Sequence, residues 1–288
     1  MMMREKTGVR NLNVGSIALT AILSVVLALF VAPFALVIVN VFKPMSDITA
    51  NPLAIIGKHG FTIDNFIEAM DKMRFWTVAS NSTFITVLAT VLTVVVSAMA
   101  AYVIVRNPQW KLGTILFSLM IASMVIPFQV LMVPLVSVYG GIFHVLNDRM
   151  TLVLMHVGFS VSLATFMFHG AIRTNIPMEL EEAAEIDGCS KWMTFWRIVF
   201  PLLKPTIATV TIIDAMAFWN DYLLPSLVLG RKELYTIPIA TQAFYGTYST
   251  DIGLIMAALL LAMLPILVLY LFLQRFIVEG VTSGAVKG

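Results

Sequence analysis

The sequence predicts an all-α integral membrane protein with six transmembrane helices. Of its 288 residues, 59% are hydrophobic and only 12% are charged, whereas soluble domains average about 25% charged residues. Several apolar runs reach the length of about 20 residues that a helix needs to cross a bilayer. The small net charge of +2 and the lack of basic blocks argue against a nucleic-acid partner. One cysteine, Cys189, excludes an internal disulfide and a Cys-based zinc site.

Each apolar run is predicted to be one span. The first follows a charged segment, residues 1–16, and is longer than the roughly 7–15 apolar residues of a signal-peptide core, so we expect it to be uncleaved. The predicted transmembrane domain covers residues 17–277, with spans at about 17–42, 76–105, 112–138, 151–172, 206–229 and 252–277. A charged loop at 173–205 separates the fourth and fifth spans, and a polar tail follows at 278–288.

An even number of spans places both termini on one side of the membrane. With the termini inside, eleven of the 18 Lys and Arg residues lie on the inner side, which is a modest positive-inside bias. The bias predicts an N-in/C-in orientation. The polar stretches at 43–75 and 230–251 are then outside, and the charged loop is cytoplasmic.

The charged loop has the pattern of two short helices. Glutamates open it and basic residues close it, which suits a helix dipole. Glu182, Ala183 and Ala184 favour helix, and Gly188 is a natural helix stop. We therefore predict a short helix, a glycine turn and a second short helix at the membrane surface.

This loop resembles the EAA loop of ABC-importer permeases. The family pattern is Glu-Ala-Ala, three residues, Gly, nine residues, Ile, any residue, Leu, Pro. It is matched by Glu182, Ala183, Ala184, Gly188, Ile198 and Pro201, with Phe200 in the Leu position. The resemblance implies the type I ABC-importer permease fold with a cytoplasmic coupling helix. It implies ATPase-coupling contacts at Glu182, Ala183, Ala184, Asp187, Gly188, Ile198 and Pro201.

The remaining acidic residues of the loop have a simpler interpretation. Glu179 and Glu181 are expected to form a solvated face of the first short helix.

Two further stretches resemble the carbohydrate-uptake branch of that family. Residues 218–225, Phe-Trp-Asn-Asp-Tyr-Leu-Leu-Pro, are similar to a segment of its fifth span. Residues 274–288 resemble the C-terminal signature of permease subunits such as the smaller one of the maltose importer. In that relative the tail reaches the ATPase, which implies tail contacts at Glu279, Gly280, Gly284 and Lys287. The glycines would allow an extended, turning tail, and a frayed terminus is the open alternative.

Polar side chains within apolar spans are costly and are therefore functional candidates. Amides and carboxylates beside aromatic rings suit a neutral polyol. The candidates for the translocation path are Gln129, Asp214, Trp219, Asn220, Asp221 and Tyr222. A structural role is an open alternative, in which Asn220 and Asp221 cap backbone groups freed by Pro225. His156 is expected to be an interior hydrogen-bonding group.

The sequence contains no phosphate-binding loop of the form G-x-x-x-x-G-K-[ST], and no H-E-x-x-H or G-x-S-x-G motif. We expect a transporter subunit rather than an enzyme, with no cofactor bound by this chain. The resemblance implies a cytoplasmic ATPase dimer that holds ATP and Mg, a second related permease, and an extracellular or periplasmic substrate-binding protein. The location it implies is a bacterial cell membrane.

The expected function is import of a sugar or oligosaccharide, in which closure of the partner ATPase drives alternating access. One alternative is an ABC permease for another solute, such as a polyamine or glycerol phosphate. The other is a gradient-driven secondary transporter with Asp214 or Asp221 as the ion site. That class needs no EAA-like loop and usually has more spans and internal repeats.

Overall fold

All regular secondary structure is helical in the part of the chain that the structure, a computed structural model, describes. It describes the backbone of residues 14–247 and 251–285 and the side chains of residues 15–247, 251–268, 270 and 271. The α-helices are α1 Val14–Val41, α2 Met45–Ala50, α3 Asp64–Lys72, α4 Phe75–Arg106, α5 Lys111–Ser123, α6 Phe128–Val136, α7 Arg149–Asn175, α8 Glu179–Ile186, α9 Lys191–Thr194, α10 Phe200–Leu202, α11 Lys204–Asn220, α12 Leu223–Val228, α13 Ile237–Thr247 and α14 Ile252–Ala285. Two π-helical turns, Ser137–Ile142 and Phe195–Val199, and one 3-10 turn, Lys232–Leu234, complete the regular structure of these residues.

Three helices among the described residues are long and apolar enough to cross a membrane by themselves, namely α1, α4 and α7. Two bent helix pairs raise the number of candidate spans to five, and α14 has a shorter apolar segment at Ile252–Val268. The prediction of an all-helical fold is therefore confirmed for the described residues. The count of six spans and their orientation stay predictions.

The predicted third span, 112–138, is broken in the middle. Helices α5 and α6 meet at an angle of 102°, and Pro127 is the residue that precedes α6. A proline disfavours helical backbone at the residue before it, so the chain leaves the helix ahead of Pro127.

The predicted fifth span, 206–229, is broken as well. Helix α11 ends at Asn220, and Asp221 has extended backbone angles before α12 begins at Leu223. The ring of Pro225 would clash with the carbonyl of residue 221 in a continuous helix, which accounts for the position of the break. At its other end, α11 meets the preceding helical segment Lys191–Leu202 at 75°.

Helix α4 lies at the centre of the bundle and packs along α7, with α11 against both. Its residues Ala89, Ala98 and Ala101 are completely buried. Small side chains let helix backbones approach closely in a membrane. Near the cytoplasmic end predicted for α4, Ala98 and Ala101 form an apolar cluster with Phe168 of α7 and with Phe195 and Val199 of the charged loop.

The polar stretch 43–75 is held together by side chains. The Asp47 carboxylate accepts hydrogen bonds from the backbone N–H of His59 (2.8 Å) and from its ring Nδ1 (2.7 Å). The backbone hydrogen bond from His59 keeps the pKa of Asp47 below its ordinary value. Lys43 is buried and donates to Asn40. The stretch is thus a structured cap on the bundle.

The other polar stretch, 230–251, contains a helix that the sequence analysis did not predict, α13. Asn81 of α4 fixes the chain ahead of it by donating to the carbonyls of Glu233 (2.8 Å) and Tyr235 (3.0 Å). Arg149 of α7 in turn donates to the Asn81 side-chain oxygen. One buried amide therefore joins three segments of the chain.

The end of the chain differs from the predicted extended tail. Helix α14 continues through Ala285, so that expectation is wrong for residues 278–285. The backbone at Glu279, Gly280 and Gly284 is helical, but the Glu279 side chain lies outside the described residues. Lys287 and most of the predicted N-terminal segment 1–16 lie outside them as well.

Candidate functional site

The charged loop folds as the sequence predicted, into two short helices joined by a glycine turn. Helix α8 ends in a pair of hydrogen bonds that is typical of glycine-terminated helices. Gly188 N–H donates to the Glu185 carbonyl (3.0 Å), and Cys189 N–H donates to the Ala184 carbonyl (2.9 Å). The next helix starts at Ser190, whose hydroxyl accepts from the N–H of Met193.

Glycine is required at position 188 by the backbone conformation rather than by a lack of space for a side chain. Its φ is +82°, a left-handed conformation that L side chains rarely adopt. A Cβ added to Gly188 would meet no heavy atom within 4 Å. The turn therefore selects glycine through its dihedral angles.

Most of the predicted coupling residues lie on the outer surface of this loop. Glu182, Ala183, Asp187 and Gly188 are exposed, and so is Pro201 farther along the chain. Ala184 is buried against the bundle, and Ile198 is half-buried in the π-helical turn.

Apolar side chains share the exposed surface of the loop. Ile186 is 87% exposed at the end of α8, and Met178 and Leu180 are largely exposed at its start. An exposed short helix that carries both acidic and apolar side chains fits the helix-in-groove mode of recognition.

The interpretation of Glu181 as part of a solvated face is wrong. Its side chain is only 8% exposed and binds residues at the end of α4. Its carboxylate accepts hydrogen bonds from Tyr102 Oη (2.8 Å) and Arg106 Nε (2.7 Å) and forms an ion pair with Arg106 Nη2 (2.6 Å). Glu179, in contrast, is exposed as predicted.

A cavity of about 730 Å³ lies where the two broken helices face α7. It has the size of a small-molecule site, for which about 300–1,000 Å³ is typical. Three of the predicted path residues line it together, namely Gln129, Asn220 and Asp221. The aromatic rings of Phe128, Phe159 and Phe218 and the imidazole of His156 also line it.

Asp221 combines a structural contact with a position in the cavity. Its Oδ1 accepts from the N–H of Leu223 (3.0 Å) and so caps α12. Its Oδ2 lies 3.9 Å from Nδ1 of His156. His156 is 3% exposed, its ring contacts Phe218, and its Nε2 has no hydrogen-bond partner among the described residues. The imidazole therefore has Nδ1 near the Asp221 carboxylate and a buried Nε2 that is unpaired within the described chain.

The other predicted path residues lie elsewhere. Trp219 and Tyr222 line a second pocket of about 340 Å³ together with Asn220. Asp214 is buried within the bundle, and its Oδ2 has no hydrogen-bond partner in the described part of the chain. No cluster of three or more His, Cys, Asp or Glu residues that could hold a metal ion occurs among the described residues.

Residues 93–283 match a family described as "Binding-protein-dependent transport system inner membrane component". The chain belongs to this family. The permease is therefore a membrane subunit of a transport system and not an enzyme. The match includes the charged loop, the cavity and the C-terminal part of α4.

Three curated relatives cover almost the whole permease. The "Probable starch degradation products transport system permease protein AmyC" of Thermoanaerobacterium thermosulfurigenes is 37% identical over 96% of this chain and 99% of its own length. The "Multiple sugar-binding transport system permease protein MsmG" of Streptococcus mutans is 34% identical over 90% of this chain and 92% of that protein. The "Melibiose/raffinose/stachyose import permease protein MelC" of Bacillus subtilis is 34% identical over 94% of this chain and 96% of that protein.

A solved structure has the same fold. It is a chain of a bacterial ABC transporter involved in the import of the acidic polysaccharide alginate, with a TM-score of 0.75 over 92% of the permease and 97% of that chain. The identity is 17%, so this likeness concerns the fold alone.

The sequence analysis missed three side chains at these sites. His156 carried the same signal as Gln129, a polar group in an apolar span, but was expected to be an interior hydrogen-bonding group and was not assigned to the path. Arg106 and Tyr102 lie at the end of an apolar segment, where basic and aromatic residues commonly mark the membrane boundary. No local pattern connected them to Glu181.

Proposed function

We propose that this permease is the transmembrane subunit of an ATP-driven importer for a sugar or oligosaccharide. The observation that carries the proposal is the set of relatives described above. All three are named for transport of carbohydrates, and each is at least 34% identical over at least 90% of this chain. We propose this substrate class ahead of polyamines or glycerol phosphate on that ground.

The proposed arrangement in the membrane has six spans with both termini in the cytoplasm. Helices α5 and α6 would together form the third span, α11 and α12 the fifth, and α14 the sixth. Short breaks inside a span are tolerated where the freed backbone lines a cavity or is capped by side chains. The cap that Asp221 supplies at Leu223 supports this arrangement for the fifth span.

We propose three partners: a cytoplasmic ATPase dimer that binds ATP and Mg, a second related permease, and a substrate-binding protein outside the cell. The surface formed by Glu182, Ala183, Asp187 and Gly188 would dock into a groove on the ATPase. Its exposure supports this role. Ala184 would support the helix from behind, and Ile198 and Pro201 would orient the segment that follows. The C-terminal residues Glu279, Gly280, Gly284 and Lys287 are proposed as a second contact.

For the translocation path, we propose that the cavity between the broken helices contacts the sugar. Gln129, Asn220, Asp221 and His156 would bind hydroxyl groups, and the nearby rings would pack against the apolar faces of the sugar. Trp219 and Tyr222 would line an adjacent part of the route. Asp214 is proposed to support the bundle next to the path, since it does not line the cavity.

The first test is to purify the tagged permease from its host in mild detergent and to identify what accompanies it. We expect an ATPase and a second permease. The purified complex, reconstituted in proteoliposomes, is then assayed with its binding protein for uptake of labelled maltotriose, raffinose, spermidine and glycerol 3-phosphate. Uptake of an oligosaccharide that requires internal ATP and survives a protonophore supports the proposal.

Two outcomes would contradict it. Uptake of spermidine or glycerol 3-phosphate instead of a sugar would reassign the substrate class. Uptake by the chain alone, abolished by a protonophore, would indicate a gradient-driven transporter, with Asp214 and Asp221 as the first candidates for its ion site.

A further inference from the structure

The guanidinium of Arg106 joins three segments of the chain at one end of the bundle. It belongs to the last residue of α4. Its Nη2 donates to the carbonyl of Ile176, the residue that follows α7 (2.9 Å). Its Nε donates to Glu181 in the first turn of α8 (2.7 Å), and the Glu181 carboxylate also forms an ion pair with Nη2 (2.6 Å). The ends of two long helices and the start of the coupling helix are thereby connected through one side chain.

The contact is buried and its polar atoms are well matched. The Arg106 side chain is 14% exposed and the Glu181 side chain is 8% exposed. Taking two charges out of water is unfavourable unless further hydrogen bonds complete their shells. Here one carboxylate oxygen accepts from Arg106 and the other accepts from Tyr102. A planar guanidinium group, with N–H donors in fixed directions, also constrains the orientation of the groups it binds, which apolar packing or an ammonium group does not.

Glu181 differs from the other acidic residues of α8. Glu179, Glu182 and Glu185 are exposed, whereas Glu181 and Ala184 are buried. These two are three residues apart and so lie on the same side of the helix. One acid therefore faces the bundle while its neighbour, Glu182, remains available to a partner.

The second half of the charged loop is held at the same place. The Tyr102 ring contacts the ring of Phe195, with centroids 5.2 Å apart. Phe195 itself is buried among residues of α4 and α7. Tyr102 therefore contacts the loop on both sides of the Gly188 turn, with its hydroxyl on Glu181 and its ring on Phe195.

We propose that Arg106 and Tyr102 are positioning residues that fasten α8 to α4 and α7 through Glu181. The link from α7 to α8 is only residues 176–178, which are outside either helix and could act as a pivot. With Glu181 and the Ile176 carbonyl both bound to Arg106, a displacement of α8 moves α4 and α7 instead of bending this link. The inference rests on the proposed function, in which an ATPase displaces α8.

The test uses the whole complex, with its sister permease, ATPase and binding protein, in proteoliposomes. The variants are Glu181→Gln, Arg106→Gln and Arg106→Lys. Sugar uptake and ATP hydrolysis are measured in the same preparation, with labelled maltotriose or raffinose, whichever the wild-type complex transports. Hydrogen bonds to charged groups are strong enough that losing them should lower the sugar transported per ATP about tenfold in Glu181→Gln and Arg106→Gln. Arg106→Lys, which keeps the charge but not the fork, should fall between these variants and the wild type.

The matched control is Glu179→Gln, an exposed glutamate on the same helix, for which an unchanged ratio is expected. A role in folding alone would lower complex abundance, or would lower uptake and ATP hydrolysis in proportion, and would leave their ratio unchanged. Either that result or a wild-type ratio in both Gln variants would overturn the inference. If Arg106→Gln does not assemble, Tyr102→Phe keeps the ring and the ion pair, and it must lower the ratio in the same direction.

The outcome also separates this inference from the proposed function. A wild-type complex without ATP-driven uptake refutes the proposed function and the inference with it. ATP-driven uptake in the wild type together with an unchanged ratio in the variants refutes the inference alone.

Discussion

Replacement of Gly188 tests whether the turn of the charged loop depends on backbone conformation. At φ +82°, any L residue is strained, and a left-handed conformation costs such residues about 1–2 kcal/mol. Since no heavy atom lies within 4 Å of an added Cβ, that strain is the whole intrachain penalty for alanine. It corresponds to a decrease of about 5- to 30-fold in the native turn relative to alternatives.

The series Gly188→Ala, Gly188→Asn, Gly188→Val and Gly188→Arg separates backbone strain from side-chain volume. Asparagine is larger than alanine but tolerates left-handed backbone better, and a β-branched residue tolerates it least. If the backbone conformation of the turn determines activity, uptake should decrease in the order Gly, Asn, Ala, Val. Gly188→Arg adds bulk and charge at the proposed ATPase contact and should abolish uptake while the protein still inserts.

The assay measures ATP-dependent uptake by the reconstituted complex and the amount of ATPase that co-purifies with the permease. Gly170→Ala is the control, because this α7 glycine also has no heavy atom near an added Cβ and alanine favours a helix. Uptake at the wild-type level in Gly188→Ala and Gly188→Val would refute the backbone requirement. Lower uptake in Gly188→Asn than in Gly188→Ala would show that volume at the partner surface decides instead.

Three further predictions concern other parts of the molecule. Asp221→Ala should lower sugar-stimulated ATP hydrolysis, whereas Asp221→Asn keeps an oxygen that can cap α12. If both variants lose activity equally at normal abundance, the carboxylate itself is required. If Asp221→Ala lowers only the abundance of the protein, the role of Asp221 is structural. Cys189, the single cysteine, follows the glycine turn and is half-buried. A docked ATPase should therefore slow the labelling of Cys189 by a maleimide in detergent. Equal labelling rates with and without the ATPase would argue against docking at this turn. A Cβ on Gly57 would overlap the Asp47 carboxylate, so Gly57→Ala should disrupt the hydrogen bonds of Asp47. Trypsin should then cleave faster after the next residue, a lysine, in right-side-out vesicles. An unchanged cleavage rate in intact vesicles would contradict the loop structure or its outside location.

The breaks in the predicted membrane-spanning helices show where the local sequence pattern was sufficient to predict the structure and where it was not. The prolines at 127 and 225 were visible in the sequence, but a proline in a span can produce either a kink or a complete break. Pro265 lies within α14 without ending it. In contrast, the helix is interrupted just before Pro127 and at Asp221, four residues before Pro225. The difference depends on whether neighbouring groups, such as the Asp221 carboxylate, satisfy the freed backbone.

The candidate path shows a similar division. Polarity inside apolar runs identified Gln129, Asn220 and Asp221, and the structure places them around one cavity. The same criterion also selected Asp214, which lies outside that cavity, and passed over His156, which lines it. Polarity is a property of each residue, while the side of a helix that faces a cavity is set by how the helices pack.

The sequence alone determined that the chain is an all-helical membrane protein with a helix, a glycine turn and a second helix in its charged loop. These features depend on properties of neighbouring residues: the length of apolar runs, helix propensity, and the conformational freedom of Gly188. Only the tertiary structure decided that Glu181 faces inward to Arg106 while Glu182 faces outward. That choice depends on the rotation of α8 against α4 and α7, which is fixed by contacts between residues far apart in the chain.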